Sequence, residues 1–397
     1  MGVGASIEPC AVGTHAGQHD VRADRLVVMM DTALQRRRRW QRGATAVCGA
    51  IVLAVSSGLS TFAQTAPSKP DTSRSEVETI EIVAQPLSGF EKLNGTRTSF
   101  GKLEWLGGLV LSSSDKRFGG WSGLAMDADG QRLVAVSDAG TWMSSDVVYR
   151  GGRIAGLTNA TLGPIKARDG GRLKRDKDRD AEAVLLLGGT LKRGKLLIAF
   201  EQNHRLGYFD IDGNGVSPPS RYLAVPAEAR RMRPLKGFEA VAEIKGGRHK
   251  GALIAFAEHL LDGKGNHSGW LLARGRSSVV SLTDIGGFDP TDAIGLDNGD
   301  IIVLERRFRW LEGVKMRLRL IRASEIAAGA VLAGEVLLEA DMADEIDNME
   351  ALSAHRGGDG GTVLSIMSDD NFNGFLQRTL LLQFKLKDDG VMTRVSR

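Results

Sequence analysis

Short apolar runs separated by turn-forming residues recur five times between residues 121 and 370. Each unit opens with a polar residue, a small residue and an aliphatic residue, and a turn then leads to an apolar run that ends on a carboxylate. Phe238-Glu-Ala-Val241, for example, precedes Leu253-Ile-Ala-Phe-Ala-Glu258. This pattern predicts β-strands throughout. The polar residues that open the units are Ser122, Glu182, Glu239, Asp292 and Glu350.

The spacing of these units predicts an all-β fold, a β-propeller. The five polar residues are 60, 57, 53 and 58 positions apart, and a four-stranded blade takes ~40–50 residues, or more with inserted loops. The chain length then favours six blades, with five and seven as alternatives. We expect the C-terminal run 379–384 to pair with the N-terminal run 77–83, because ring closure removes exposed sheet edges. A short helix is predicted at 324–328, with Ser324 as its N-cap.

The N-terminal region resembles an export signal rather than part of the fold. A basic stretch at 36–42 precedes an apolar run at 44–59, and the small residues before position 64 predict cleavage after Ala63. The start could also lie at Met29 or Met30, and an uncleaved membrane anchor is the alternative reading of the apolar run. The predicted organisation is a leader at 1–63, a linker at 64–76 and the propeller at 77–397. We expect a periplasmic or secreted protein with no membrane span after cleavage.

Composition narrows the chemistry of the mature protein. The chain is 42% apolar and has 52 basic and 48 acidic residues, but seven Arg and four acids lie in residues 1–63. The remainder carries 45 basic and 44 acidic residues, which gives no electrostatic case for nucleic acid binding. Both cysteines, Cys10 and Cys48, fall in the leader, so no disulfide, thiol nucleophile or cysteine metal site is expected. A monomer is expected.

Recurring acids are the main candidate for chemistry. In a propeller, matching positions of successive repeats lie on one ring, so acids far apart in sequence converge. Crowded carboxylates repel one another unless a cation neutralises them, and Ca²⁺ prefers such oxygen-only ligands. The alternative is that they are solvated loop acids or structural hydrogen-bond acceptors. Besides the acids that open the units, the predicted ligands are the strand-end carboxylates Asp138, Glu201, Glu258, Glu305 and Asp369, together with Asp370.

Basic residues accompany these acids and suit a small anionic, phosphorylated substrate, since guanidinium groups bind phosphate oxygens in pairs. Each could equally be a solvated surface charge. The chain lacks a Gly-x-Ser-x-Gly elbow, a phosphate-binding loop and a His-Glu-x-x-His helix. Its histidines are scattered, so a zinc site would need ligands from separate blades. The basic candidates are His204, Arg205, Arg306, Arg307 and Arg378, with the loop 174–179 as a further possibility.

Several motifs resemble a secreted bacterial family of phytase-like domains, described as "esterase-like activity of phytase". They are Asp180-Ala-Glu-Ala, Gly237-Phe-Glu-Ala, Asn348-Met-Glu-Ala-Leu and, most specifically, Ser368-Asp-Asp-Asn-Phe-Asn with Gln377-Arg-Thr-Leu-Leu after it. The resemblance spans residues 85–388 and implies a β-propeller and a phosphoester hydrolase. By matched position it points to Glu182, Glu239, Glu350, Asp369, Asp370, Asn371 and Asn373.

Two functions are therefore open at the level of sequence. In the first, bound Ca²⁺ assists phosphoester hydrolysis, with Glu239 or Glu350 as general base and Arg306 or Arg378 holding the ester's oxygens. In the second, the same site of an exported propeller binds a ligand or partner without catalysis, because propellers host many unrelated functions.

Overall fold

The computed structural model describes Met1 and residues 76–387, apart from 228, 230–236 and 274. The predicted leader apart from Met1, its cleavage site and all but the last residue of the predicted linker lie outside the described residues. Among the described residues, no helix has the length and apolarity needed to cross a membrane.

The strands form five sheets, which are the blades of a β-propeller. Blade 1 contains β5 (Trp121–Met126), β6 (Arg132–Ser137), β7 (Thr141–Arg150) and β8 (Arg153–Pro164), with β1 (Glu78–Thr79) at its edge. Blade 2 contains β9 (Ala181–Thr190), β10 (Arg193–Phe200), β11 (Arg205–Asp212), β12 (Gly215–Val216) and β13 (Arg221–Leu223). Blade 3 contains β14 (Phe238–Glu243), β15 (Leu253–Leu261), β16 (His267–Ala273), β17 (Arg276–Leu282) and β21 (Val331–Leu332).

Blades 4 and 5 complete the ring. Blade 4 contains β18 (Asp289–Gly295), β19 (Ile301–Arg309), β20 (Gly313–Ile321) and β22 (Glu335–Ala340). Blade 5 contains β23 (Met349–Arg356), β24 (Thr362–Ser368), β25 (Thr379–Leu386) and β4 (Leu103–Ser112), with β2 (Val83–Pro86) and β3 (Ser99–Phe100) beside β4. The first strand of each repeat lies innermost, and these five strands contact one another in turn around the centre.

The all-β propeller is confirmed, and it has five blades rather than the six that chain length favoured. The five sequence repeats are the five blades, and the N-terminal strands join blades 1 and 5 instead of helping to build another. The ends of the fold do close the ring, because β25 pairs antiparallel with β4. The expected partner, 77–83, was wrong: Glu78 and Thr79 pair with β8, and Val83 pairs with β4.

The core lies between neighbouring blades. Between blades 3 and 4, Ile254 and Phe256 of β15 pack in one buried cluster with Ile301 and Val303 of β19. Strands buried on both faces need apolar residues at successive positions, which is why the middle strands have nearly continuous apolar sequences. This packing fixes the position of each strand end around the centre.

Helical structure is minor among the described residues. It includes α1 (Asp176–Arg179) and a 3-10 turn, Gly247–His249. The helix predicted at 324–328 is instead a pair of turns, in which Glu325 N donates to Arg322 O at 2.9 Å and Ala330 N to Ala327 O at 3.1 Å. His249 Nε2 lies 3.0 Å from the Ile326 carbonyl, and Arg248 also donates to that carbonyl. The Ile326 carbonyl therefore contacts side chains of blade 3 instead of an N–H group of a helix.

Candidate functional site

A β-bulge interrupts the innermost strand of every blade at the same place. The pairing register with the second strand shifts around one extra residue in β5, β9, β14, β18 and β23. Bulges re-aim side chains and are common next to functional sites. The extra residues are Ser122, Glu182, Glu239, Thr291 and Glu350.

The second strand of each blade contributes one residue beside this bulge. In blade 3, Phe238 pairs with Ala257, and Glu258 is the next residue. In blade 4, Pro290 pairs with Glu305, so the matching residue is Arg306. We call the end of the propeller that carries both sets the mouth. The second set is Asp138, Glu201, Glu258, Arg306 and Asp369.

Blade 4 therefore departs from the sequence alignment by one residue. Asp292 was aligned with the bulge glutamates, but Thr291 occupies that position. The Asp292 carboxylate instead accepts hydrogen bonds from Ala293 N at 2.8 Å and from Leu352 N in β23 at 2.7 Å. It is buried, and burial raises its pKa well above the usual value. Asp292 thus links blades 4 and 5 rather than facing the mouth.

The prediction that Glu305 joins the mouth acids is likewise wrong. Glu305 is fully buried inside blade 4, where Arg319 donates to its carboxylate and Arg317 Nη1 lies 3.9 Å away. Burial raises the pKa of Glu305 to about 7, although both guanidinium groups act in the opposite direction. Its place at the mouth is taken by its neighbour Arg306, a cation.

The mouth acids form overlapping groups whose ligand atoms lie within 4.8 Å of one another. Asp180, Glu182 and Glu201 form the first group, within blade 2. Glu201, Glu239 and Glu258 form the second, which spans blades 2 and 3. Glu201 belongs to both groups, so the carboxylates form a continuous acidic arc.

Burial and the mutual repulsion of carboxylates raise pKa values in two places, one in the arc and one beside it. Burial, followed by the charges of Asp180, Glu201, Glu239 and Glu350, raises the pKa of Glu182 well above the usual value. On the other side, burial and then Glu350 and Asp138 raise the pKa of Asp369. A cation would relieve this repulsion.

Arg306 lies among these carboxylates. Its Nη1 is 3.6 Å from Glu350 Oε1, and its Nη2 is 3.9 Å from Glu258 Oε1. Burial alone would lower the pKa of Arg306, but Glu350, Glu258 and Glu239 outweigh burial and keep it above the usual value. Arg306 also donates to Asn348 Oδ1, and Asn348 Nδ2 donates to Glu350 Oε1 at 2.7 Å. Asn348 thus orients both the cation and a bulge glutamate.

The predicted ligands Asp369 and Asp370 have different surroundings. Asp369 is buried, accepts a hydrogen bond from Asn371 N at 2.6 Å and lies near the mouth acids. Asp370 accepts from Gly120 N at 3.1 Å, from Phe372 N at 3.0 Å and from the Thr379 hydroxyl at 3.1 Å. Asp370 therefore caps the loop that follows β24.

Asn371 and Asn373 are in this loop. Asn371 has a φ of 50°, and Asn373 N donates to Asp370 O at 2.7 Å. Left-handed backbone is more accessible to asparagine than to most residues. These contacts give both residues a role in loop geometry.

The other predicted substrate residues are mostly engaged elsewhere. Arg205 stacks 3.8 Å over the Phe200 ring and donates to two backbone carbonyls. Arg307 donates to Gly286 O at 2.8 Å and to Glu312, and Arg378 donates to Glu345 at 2.9 Å. His204 is half-buried and follows Glu201 by three residues. Arg306 is thus the predicted guanidinium that the structure brings to the mouth acids.

Four residues near the mouth had no role in the predictions made from the sequence. Asp180 and Asn348 stood in the quoted motifs, two residues before Glu182 and Glu350, but received no role. His259 and Asp289 form a third group with Glu258, and His259 Nδ1 lies 2.9 Å from Asp289 Oδ1. Glu258 and His259 lie in β15 of blade 3 and Asp289 lies in β18 of blade 4, and only the folded structure shows that these side chains meet.

The donor set of the arc fits a hard divalent cation. All ligands in its two groups are carboxylates, and Ca²⁺ takes six to eight oxygens. The three carboxylates of one group can each supply one or two oxygens, and water can supply the remaining ligands. The raised pKa of Glu182 indicates that the uncompensated arc favours a bound positive charge.

The solved structures that are similar to this chain have low sequence identity to it. A search of curated proteins returned no match. Among solved structures, the chain is similar to an endo-arabinase from Bacteroides thetaiotaomicron, with 13% identity, 66% of this chain and 91% of that chain covered and a TM-score of 0.41. It is also similar to the Cps50 (Swd1) β-propeller domain of Myceliophteria thermophila, with 9% identity, 76% and 99% covered and a TM-score of 0.34.

The family comparison is more specific. The model of the phytase-like family, described as "esterase-like activity of phytase", matches residues 116–372. This span includes all five bulges and the mouth residues from Asp138 to Asp369. The chain belongs to the phytase-like family.

Proposed function

We propose that the protein is an exported, metal-assisted phosphoester hydrolase whose acidic arc binds Ca²⁺. The observation that supports this most is the pair of overlapping carboxylate groups at the mouth, with Arg306 opposite them. Membership of the phytase-like family supports a hydrolase of this kind. The substrate class is a small phosphomonoester, because its negative charge suits both a bound cation and a guanidinium group.

In this proposal Glu201, Glu239 and Glu258 hold the ion. When bound, Ca²⁺ would neutralise part of the phosphoryl charge and polarise a phosphoryl oxygen. Arg306 would hold another phosphoryl oxygen, since Asn348 fixes one end of its guanidinium. Glu350, held by Asn348, would take a proton from water as the water oxygen bonds to phosphorus and the ester P–O bond breaks. The released alcohol would take its proton from solvent.

The test is hydrolysis of a phosphomonoester panel by the protein that begins at residue 64, in Ca²⁺ and in EDTA. The proposal predicts turnover in Ca²⁺ that EDTA abolishes, and about 10²-fold lower kcat for Glu350→Gln. Equal rates in both buffers would contradict the role of metal. Ca²⁺ binding without turnover across the panel would favour the alternative, a ligand-binding propeller.

Glu243→Gln is a matched control for Glu239→Gln. Both residues lie in β14, but Glu243 pairs with Leu253 at the opposite end of the strand. Four residues of strand separate them by roughly 13 Å. Glu239→Gln should weaken Ca²⁺ binding, whereas Glu243→Gln should leave Ca²⁺ affinity and kcat unchanged.

Export is part of the proposal and rests on the sequence of residues 36–63. Expression in a Gram-negative host should yield a processed protein in the periplasm or medium. N-terminal sequencing should begin at Gln64, and an intact N-terminus in the membrane fraction would instead support an anchor.

A further inference from the structure

A histidine and two carboxylates meet beside the acidic arc, at the junction of blades 3 and 4. Glu258 and His259 come from β15, and Asp289 comes from β18. Their ligand atoms lie within 4.8 Å of one another, and His259 Nδ1 is 2.9 Å from Asp289 Oδ1. We propose that these three residues bind a divalent transition-metal ion of the Zn²⁺ type, separate from the Ca²⁺ of the arc.

The donor set distinguishes this site from the arc. Imidazole nitrogen suits Zn²⁺ and its neighbours in the first transition series, whereas Ca²⁺ takes oxygen ligands. Imidazole and carboxylate groups are both zinc ligands, and three protein ligands with a water in the fourth position form an open zinc site. A metal ion between His259 Nδ1 and Asp289 Oδ1 would replace the direct contact that joins these atoms at 2.9 Å.

A buried residue fixes the segments that carry the ligands. His267 has 2% of its surface exposed, and its Nδ1 lies 2.8 Å from Glu258 O. Its Nε2 lies 3.0 Å from Phe288 O, directly before Asp289. One side chain therefore contacts the backbone of both ligand segments, which come from different blades. Such outer contacts are what orient metal ligands.

The charges at the mouth permit a second ion. The acids of the arc together with Asp289 and Glu350 carry seven formal negative charges, and Arg306 carries one positive charge, which leaves −6 before the mouth residues Asp138 and Asp369 are counted. One Ca²⁺ and one Zn²⁺ would reduce this charge to −2. Arg306 opposes the second ion, but its 3.9 Å separation from Glu258 Oε1 is longer than a hydrogen bond. Glu258 belongs to both groups, so it couples the two ions.

The test is titration of the metal-free mature protein with Zn²⁺ at saturating Ca²⁺, by calorimetry and by metal analysis after dialysis. The wild type should bind one Zn²⁺. His259→Ala and Asp289→Asn should each weaken Zn²⁺ binding at least about tenfold, because even outer contacts of a zinc ligand have effects of that size. Both variants should keep the wild-type Ca²⁺ affinity, whereas Glu258→Gln should weaken both ions.

His204→Ala is the matched control, because His204 follows Glu201 in blade 2 but is not in the proposed site. It should bind Zn²⁺ as the wild type does. Wild-type Zn²⁺ affinity in His259→Ala, or no Zn²⁺ in Ca²⁺-loaded wild type, would overturn the proposal. The readout is binding, so loss of the proposed hydrolase activity would leave this result unaffected. Thermal melts check folding, and Asp289→Asn serves if His259→Ala does not fold.

Discussion

Neighbouring residues at the mouth can have opposite roles, as Asp369 and Asp370 show. Asp369 faces other carboxylates, and Asp370 caps two backbone N–H groups and a hydroxyl. The sequence predicted that both would be ligands, because adjacent acids in a loop look alike until their hydrogen-bond partners are known. The burial of each side chain and its hydrogen-bond partners distinguish the two roles.

Single substitutions to asparagine should show this difference. In EDTA, Asp370→Asn should lower the free energy of unfolding by ~1–3 kcal/mol, because it weakens the cap on Gly120 and Phe372. Asp369→Asn should be neutral or stabilising in EDTA, because it removes like-charge repulsion. Thermal melts measure both. A larger loss for Asp369→Asn than for Asp370→Asn would contradict these assignments.

His355 should make the fold sensitive to acid. It is buried, and burial lowers its pKa from the usual 6.5 to about 4. Between these values the unfolded chain binds the proton and the folded protein does not, so stability falls as pH drops from about 6.5 to 4. The loss approaches ~3 kcal/mol. Denaturant unfolding across this range should show a shallower dependence for His355→Gln, and an unchanged slope would contradict the role of His355.

At the scale of the element, the β-bulge decides which residues face the mouth. In four blades the sequence repeat and the bulge agree, so Glu182, Glu239 and Glu350 were predicted correctly as matching residues. In blade 4 the residues Thr291-Asp292-Ala293 look like the repeat, but the extra residue is Thr291. A register shift of one residue turns a side chain to the other face, and the sequence alone cannot place it.

A matched pair of substitutions tests this register. Glu305→Gln should destabilise the protein by roughly 3 kcal/mol, because buried Arg319 loses its charged partner, and should leave Ca²⁺ affinity unchanged. Glu258→Gln should weaken Ca²⁺ binding with little loss of stability in EDTA. Denaturant unfolding and calorimetry measure the two effects. Weaker Ca²⁺ binding by Glu305→Gln would contradict this register and would support the sequence prediction that Glu305 lies among the mouth acids.

At the scale of the whole molecule, the repeat predicted the propeller but not the number of blades. Dividing the length beyond the linker by the spacing of the repeats predicted a sixth blade assembled from segments near both ends, whereas β1 joins blade 1, and β2, β3 and β4 join blade 5. Long-range pairing such as β4 with β25 leaves no local signal in the sequence. The site beside Asp289 could not be predicted for a different reason: Asp289 lies two residues before the bulge residue Thr291, and the repeat does not show which side chains of neighbouring blades meet.

The crowded mouth should change how the stability of the whole molecule responds to pH. Without metal, the pKa of Glu182 and that of Asp369 are raised, so protonation favours the folded state. Their contribution should therefore be lost as pH rises through the raised values. Saturating Ca²⁺ should remove this dependence, because the ion replaces the protons. Thermal melts in EDTA and in Ca²⁺ over a pH series measure this dependence. The same pH dependence of the melting temperature in both buffers would contradict a cation at the mouth.

The central claim is that the acidic arc binds Ca²⁺, and Glu201 tests it most directly because it belongs to both groups of the arc. The measurement is calorimetric titration of the metal-free mature protein with Ca²⁺, alongside Glu201→Gln and the control Glu243→Gln. The account predicts saturable binding by the wild type and the control, with affinity at least about tenfold lower in Glu201→Gln. Equal Ca²⁺ affinity in all three proteins, or no binding by the wild type, would contradict it.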